Sequence, residues 1–470
     1  MKLSFHGAAR TVTGSKHLIT LNNGKKILLD CGMFQGLGRD TFPLNSSFGF
    51  DPASISYLLL SHAHIDHCGL IPKLVKEGFA GKIFCTPATK DLASVLLIDS
   101  AEIQRDDTEF SNKRRLKKGL PLYDVLYDVS NVQSSLPLFS TIEYDNWFTI
   151  EEGVQALYTD AGHITGSAAV HVRITENGKT TQISFSGDVG RYDDIILRSP
   201  NTFPQADYII IESTYGNSLH EPVSNTPEEL GKWIESTCRR KQGKLIIPAF
   251  SVGRTQELLY FLNELSTDGK LNGLPVFVDS PLSYEATEVV KHHPENFNFH
   301  IKDLLKVDDD PFQFPEVKFI ESVDESKRLN DMHEPMIIIS ASGMADAGRI
   351  KHHIMNNIND ERNTILIVGY CEPHSLGGFL MRGEKQVRIF GEEYRVVAEV
   401  GVMRSMSAHG DYKDLLHFLD CQKVNAVKKT FIVHGEYDVQ QDFREKLIQK
   451  GLREVYIPER HQEFELDGEL

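Results

Sequence analysis

An α/β fold is predicted for this 470-residue chain by three observations. Apolar runs of strand length alternate with helical patterns, which is the signature of mixed α/β layers. Most of the runs are β-branched or Leu-rich on consecutive positions, as in strands buried on both faces. Ionisable and hydroxyl residues stand directly at the ends of those runs, where ligands collect in open α/β sheets. In order, the runs are Lys26–Asp30, Ile55–Leu60, Thr181–Phe185, Tyr208–Glu212, Leu245–Pro248, Val276–Asp279, Met336–Ser340, Ile365–Gly369 and Phe431–His434. One helix is expected to start with Thr226 as cap and Pro227 at its first position, and to close at Gly243 after a basic run. A second begins near Gly253-Arg254-Thr255 and carries Leu258, Leu259, Phe261, Leu262 and Leu265 at helical spacing. The segment Arg105–Asp128 reads as the least structured, a solvated loop or helix end. Its basic knot, Lys113 to Lys118, leaves a phosphate contact as the alternative.

Composition narrows the class. With 40% hydrophobic and 25% charged residues the chain is globular, long enough for about two or three domains. Lys and Arg number 50 against 66 Asp and Glu, so 50 − 66 gives a net charge of −16. That balance argues against a protein that coats nucleic acid, and confines any such grip to a local site. The six cysteines are scattered without a C-x-x-C pair, which points to buried thiols and a cytoplasmic setting. The start of the chain has no signal-peptide pattern, and no apolar run approaches membrane-spanning length.

The most informative segment is His62-Ala63-His64-Ile65-Asp66-His67, which leaves one strand and enters a helix. His62 and His64, two apart on extended chain, project to the same side. Four ligand-type side chains this close suit two adjacent ions better than one, with zinc first and manganese or iron as substitutes. Further ligand candidates stand in suitable turns: His163 in Gly-His-Ile-Thr-Gly-Ser, Asp188 in Ser-Gly-Asp, and His434 in His-Gly-Glu. Asp188, a carboxylate between glycine-rich turns, is the natural bridge between two ions.

The order HxHxDH, GH, SGD resembles the metallo-β-lactamase superfamily. Glu212 in Ile-Glu-Ser-Thr-Tyr-Gly, His409 in Met-Ser-Ala-His-Gly-Asp and His434 match motifs A, B and C of its β-CASP branch of RNA-processing nucleases. The stretches at Val12–Ser15, Leu29–Gly36, Pro248–Arg254, Asp279–Leu282 and Ala341–Met344 are similar to that branch as well. The resemblance implies a metallo-β-lactamase αββα sandwich over residues 1–214 and 401–470, interrupted by a β-CASP domain over 215–400. It implies one zinc on His62, His64 and His163 and another on Asp66, His67 and His434, bridged by Asp188. Asp30 is expected to orient a ligand from behind. One stretch departs from the branch: His374-Ser375-Leu376-Gly377-Gly378 replaces its usual Gly-Thr-Leu-Gly-Arg.

The activity so implied is hydrolysis of RNA phosphodiester bonds by a water activated between two zinc ions, with manganese as a substitute. Asp66, His409 and Glu212 form the expected catalytic group, His409 protonating the leaving oxygen and Glu212 orienting it. Arg254, Ser342 and Arg349 are expected to contact single-stranded RNA, and a homodimer is an admissible assembly. His292-His293 and His352-His353 are expected as exposed helix residues. Two other classes compete: a catalytically silent β-CASP subunit that only binds RNA, and a small-ester hydrolase of the same superfamily.

Overall fold

The structure, a computed structural model, describes residues 1–306 and 310–466. Two seven-stranded sheets face each other. The first runs Glu463–Glu465, Lys2–Gly7, Lys16–Thr20, Lys26–Leu29, Tyr57–Leu59, Lys82–Cys85, Phe139–Thr141. Its pairs are antiparallel up to Lys26–Leu29 and parallel beyond. The second runs Val455–Tyr456, Lys429–Ile432, Tyr208–Ile211, Lys179–Phe185, Ala168–Glu176, Val154–Asp160, Phe148–Glu151. There the first four strands are parallel and the remainder antiparallel.

The layer between these sheets is apolar because both contribute their inward side chains. Leu3, Phe5, Ile19 and Leu29 of one meet Val170, Val172, Phe185 and Ile210 of the other. Outside the first sheet, the helices Ile71–Lys76, Pro87–Lys117 and Val129–Ser135 cover Leu58, Leu60 and Ile83. Outside the second, Tyr412–Phe418 and Tyr437–Lys450 cover Ile209, Ile211 and Ile432. The result is an αββα sandwich, and a strand as late as Lys429–Ile432 lies beside Tyr208–Ile211.

A third sheet of six strands belongs to the intervening chain: Val317–Phe319, Val276–Val278, Met336–Ser340, Lys244–Pro248, Thr364–Val368, Glu399–Met403. All its pairs are parallel, and apolar clusters line both of its faces. Its last strand crosses the expected boundary between residues 400 and 401.

Two local expectations change, and one is decided in favour of its helical alternative. Asn225 takes the cap position of the helix Thr226–Ile234, and the Thr226 hydroxyl instead donates to Ser405 Oγ at 2.8 Å. Residues 105–117 are the end of the 31-residue helix Pro87–Lys117, which Thr86 caps and which no Gly or Pro interrupts after its first position. His293 and His353 are buried rather than exposed, because each faces a carboxylate that the local pattern does not reveal. His293 bonds Asp91 at 2.9 Å and Glu295 at 2.7 Å, and His353 bonds Asp279 at 2.5 Å.

Candidate metal centre and its catalytic neighbours

The strands of the sandwich deliver their polar ends to one place. His62 and His64 leave Tyr57–Leu59, and Asp66 and His67 lie in the short helix Ile65–Cys68. His163, Asp188, Glu212 and His434 follow Val154–Asp160, Lys179–Phe185, Tyr208–Ile211 and Lys429–Ile432. His409 lies beyond Glu399–Met403. Two sets of close ligand atoms result, His62, His64, His163 and Asp188, and Asp66, His67 and His434. Glu212 and His409 also come within reach of Asp188 and His434.

The hydrogen bonds behind the imidazoles fix their tautomers. Ser61 Oγ donates to Asp30 Oδ2 at 2.9 Å, so it accepts from His62 Nδ1 at 3.0 Å. His67 Nδ1 donates to Asp30 Oδ2 at 2.6 Å, and His163 Nδ1 to the Ala408 carbonyl at 3.3 Å. Thr214 Oγ1 donates to the His434 carbonyl and accepts from His434 Nδ1 at 3.0 Å. In all four rings the proton therefore sits on Nδ1, and Nε2 presents a bare lone pair to the cluster. These lone pairs converge on one carboxylate. The Nε2 atoms of His62, His67 and His163 lie 3.5, 3.3 and 3.6 Å from Asp188 Oδ2, and that of His434 lies 3.6 Å from Oδ1.

Donors are too few for these acceptors. His67 Nε2 stands 3.1 Å from His434 Nε2, and His64 Nδ1, with one proton at most to give, stands 3.2 Å from the Nε2 atoms of both His62 and His163. Asp188 Oδ1 and His64 Nε2 are buried without a partner. Unmet lone pairs at this density in a buried place are costly unless cations fill the space between them. Imidazole nitrogens and carboxylates in two sets of three or four suit borderline divalent ions, so the residues present fit a metal.

The electrostatics agree. Burial pushes the imidazoles of His62, His64 and His163 below the usual histidine range, His64 to about 4, which keeps them neutral. Burial opposes ionisation of Asp188 and Asp66, yet the surrounding histidines hold both carboxyls below the usual range. His67 is the exception: burial lowers it, but Asp188, Asp30 and Asp66 together raise it well above the ordinary value, so without a cation its Nε2 holds a proton at the position a metal would take.

Asp30 is fully buried and spent on orientation, accepting from Ser61 N at 2.8 Å as well as from Ser61 and His67 side chains. Glu212 is likewise spent, taking the Val189 amide at 2.7 Å, the Thr214 amide at 3.1 Å and His409 Nδ1 at 3.1 Å. Desolvation lowers His409, but Glu212, joined by Asp188 and Asp66, outweighs it and raises the imidazole above its usual value. The three expected substrate contacts sit in the inserted domain. Arg254 is buried and paired with Glu257, and Arg349 is held by Asp279 at 2.6 Å and by the carbonyls of Ile320 and Glu321. Ser342 is half-buried, beside Gly343, which packs on the Phe250 ring; that ring lies 6.2 Å from His64. Three further side chains support the site: Ser61 and Thr214, whose hydroxyls set two tautomers, and His220, which bonds the His409 carbonyl at 2.9 Å. A hydroxyl beside a ligand histidine or a catalytic glutamate was the available signal.

Known proteins agree with this architecture. Family models match over residues 14–229 as metallo-beta-lactamase superfamily, 255–380 as Beta-Casp domain, and 393–458 as Zn-dependent metallo-hydrolase RNA specificity domain. "Ribonuclease TTHA0252" of Thermus thermophilus is 32% identical over 96% of this chain and 95% of its own length. This chain belongs to the β-CASP branch of the metallo-β-lactamase superfamily. Among its β-CASP relatives, "RNase J-like protein" of Methanocaldococcus jannaschii is 30% identical over 92% of each chain. "Transcription termination factor FttA" of the same organism is 28% identical over 97% of this chain and 70% of its own length.

Proposed function

We propose that this β-CASP protein is a metal-dependent ribonuclease that hydrolyses phosphodiester bonds of single-stranded RNA with two zinc ions. The carrying observation is the convergence of four Nε2 lone pairs on Asp188, with the Glu212–His409 pair beside it. His62, His64, His163 and Asp188 would hold one ion, and Asp66, His67, His434 and Asp188 the other. Bound there, two divalent ions supply Lewis-acid charge for the non-bridging phosphate oxygens and acidify water near neutrality.

The chain's own groups do the rest. Asp30 fixes the His67 ring, and Ser61 and Thr214 fix those of His62 and His434, so the site is ordered before substrate arrives. His409, kept protonated by Glu212, gives its proton to the leaving oxygen as the phosphorus–oxygen bond breaks, and water supplies the balancing proton and hydroxyl. A silent RNA-binding subunit would be expected to lack ligands, and here all seven positions are occupied by ligand-type residues. A small-ester hydrolase has no use for the Glu212–His409 pair or for the inserted domain.

The test combines metal analysis with cleavage of labelled RNA. Wild type should carry about two zinc ions per chain, Asp66→Ala should lose metal and activity together, and His409→Ala should keep its metal while slowing cleavage by about 10²–10⁴. Circular RNA separates internal cutting, which opens circles, from end-directed attack, which spares them. Metal-free wild type, or Asp66→Ala cleaving at the wild-type rate, refutes the reading.

A further inference from the structure

The far end of the helix Pro87–Lys117 is the feature that the metal centre does not use. Lys113, Arg114, Arg115, Lys117 and Lys118 crowd five cations into six positions of a chain whose net charge is −16. Four of them are exposed and Arg115 is half-buried. Among the described residues, none of the five lies within 4.0 Å of a carboxylate, whereas Arg105 on the same helix is paired with Asp106. A helix C-terminus is served by one or two cations in its last turn, so the macrodipole does not account for five.

The arm is built. Asn112 exchanges hydrogen bonds with the Tyr123 backbone, Nδ2 donating to the carbonyl and Oδ1 accepting from the amide, both at 2.8 Å. The Arg115 guanidinium stacks 3.9 Å over the Tyr123 ring, which in turn lies 4.2 Å from Phe42. Phe42 belongs to the helix Thr41–Asn45, and Asn45 holds the Phe34 backbone through bonds of 2.8 and 2.9 Å. Phe34 lies in the loop after Asp30, in which the Cys31 and Met33 amides bond the His67 and Ile65 carbonyls. On its other side, Arg114 donates to the Phe390 carbonyl at 3.1 Å, in the turn of the hairpin Gln386–Ile389 and Glu392–Arg395. The arm thus contacts the inserted domain through Arg114 and is linked through Phe42 and Asn45 to the sandwich loop next to the ligands.

We infer that this arm is a sequence-independent landing surface for the RNA backbone, gripping phosphates outside the metal cleft. It rests on the ribonuclease reading for the identity of the polyanion. The charge restricted to the cleft, as composition alone suggested, is then supplemented by a basic arm that bridges both domains. Lys113, Lys117 and Lys118, exposed and without a carboxylate partner, can displace counterions from a single strand, and each contact adds to affinity and to its salt dependence. Tyr123 and Phe42 hold the arm rigid, so the ordering cost at binding is small. Leu116, Leu120 and Leu122 are exposed beside the cations, at 71%, 46% and 57%, and a second copy of the chain is the competing occupant.

The deciding variant is the triple K113Q/K117Q/K118Q in the metal-loaded protein. Cleavage kinetics are measured on a long single-stranded RNA and on a tetranucleotide, and binding is measured in an H409A background across a salt series. The triple variant should raise KM for the long RNA by about tenfold and flatten the slope of log K against log salt by about 2. Its kcat and its tetranucleotide kinetics should match wild type. Unchanged affinity and slope for the long RNA overturn the arm while leaving a cleaving wild type as a ribonuclease. Arm-dependent RNA binding without any cleavage by wild type supports the arm and refutes the ribonuclease. A loss of dimer in sedimentation with RNA affinity unchanged makes the arm a contact between copies, and no RNA binding by wild type overturns both.

Discussion

Two regions of this molecule set histidine against an aspartate at the carboxyl end of a buried strand, and they end in opposite states. In the inserted domain Asp279 follows Val276–Val278 and is saturated. It accepts from Arg349 at 2.6 Å, from His353 Nε2 at 2.5 Å and from Ser326 Oγ at 2.5 Å, while His353 Nδ1 finds Asn330 Oδ1 at 3.0 Å. Burial works against the Asp279 carboxylate, and those hydrogen bonds still hold it below its ordinary range. In the sandwich Asp188 follows Lys179–Phe185 and meets four lone pairs, with Oδ1 left bare. Residue type is shared; complementarity is not. A satisfied network stabilises the fold, whereas a mismatched one is a place prepared for something absent from the chain itself.

The largest expected effect separates the two regions by their response to the same change. Asp188→Ala should lose both metal and cleavage to background level. In metal-free protein it should lower stability only modestly, because Oδ1 has no partner there and the imidazoles stand 3.3–3.6 Å from Oδ2. Wild type should gain thermal stability on metal loading and the variant should not. An Asp188→Ala protein that binds metal normally, or that collapses in stability without metal, would erase the contrast.

Asp279→Ala should do the reverse. It strands the Arg349 guanidinium and the buried His353 ring, at a cost of about 3–5 kcal/mol in urea unfolding, while the folded fraction keeps its metal and its kcat. Loss of metal with intact stability would mean that Asp279 belongs to a site and not to a scaffold.

Much of this arrangement could be read from the amino acids. Every consecutive apolar run became a strand within about two residues, because strands buried on both faces leave an unmixed signal. The ligand histidines were visible as ligand types at strand ends and in glycine turns, and structure added which nitrogen each one presents. What stayed hidden was pairwise. Arg254 and Arg349 stand next to glycine-rich strand ends and read equally as phosphate contacts or as salt-bridge partners until Glu257 and Asp279 are seen beside them. His353 reads as a surface residue because its partner Asp279 is 74 positions away. The 105–117 segment reads as a loop or a helix end, and its charge hides the fact that Arg, Glu, Lys and Leu all favour the helix it forms.

The smallest effect concerns a third histidine environment, intermediate between the two. His171 lies on Ala168–Glu176 in the sandwich, with Thr159 Oγ1 and Ser184 Oγ each 2.9 Å from its two ring nitrogens and Phe203 stacked at 5.0 Å. Like the imidazoles of His62, His64 and His163 it is neutral through burial, which pushes it down to about 3, but its hydroxyl partners satisfy it without a metal. Its folded pKa lies below the unfolded value of about 6.5, so on acidification the unfolded chain takes up the proton first. Its stabilising contribution is therefore complete above pH 6.5 and is lost as pH falls from there toward 3, by about 1.4 kcal/mol per pH unit for the one proton involved. His171→Gln keeps a donor and an acceptor for the two hydroxyls and removes the titration. The slope of unfolding free energy against pH between 6 and 4 should then be shallower by that one proton, with metal bound or stripped. A difference that vanishes when metal is removed would place His171 electrostatically with the cluster; one that persists shows that burial alone keeps an imidazole neutral here, and that only the missing partners distinguish the metal site.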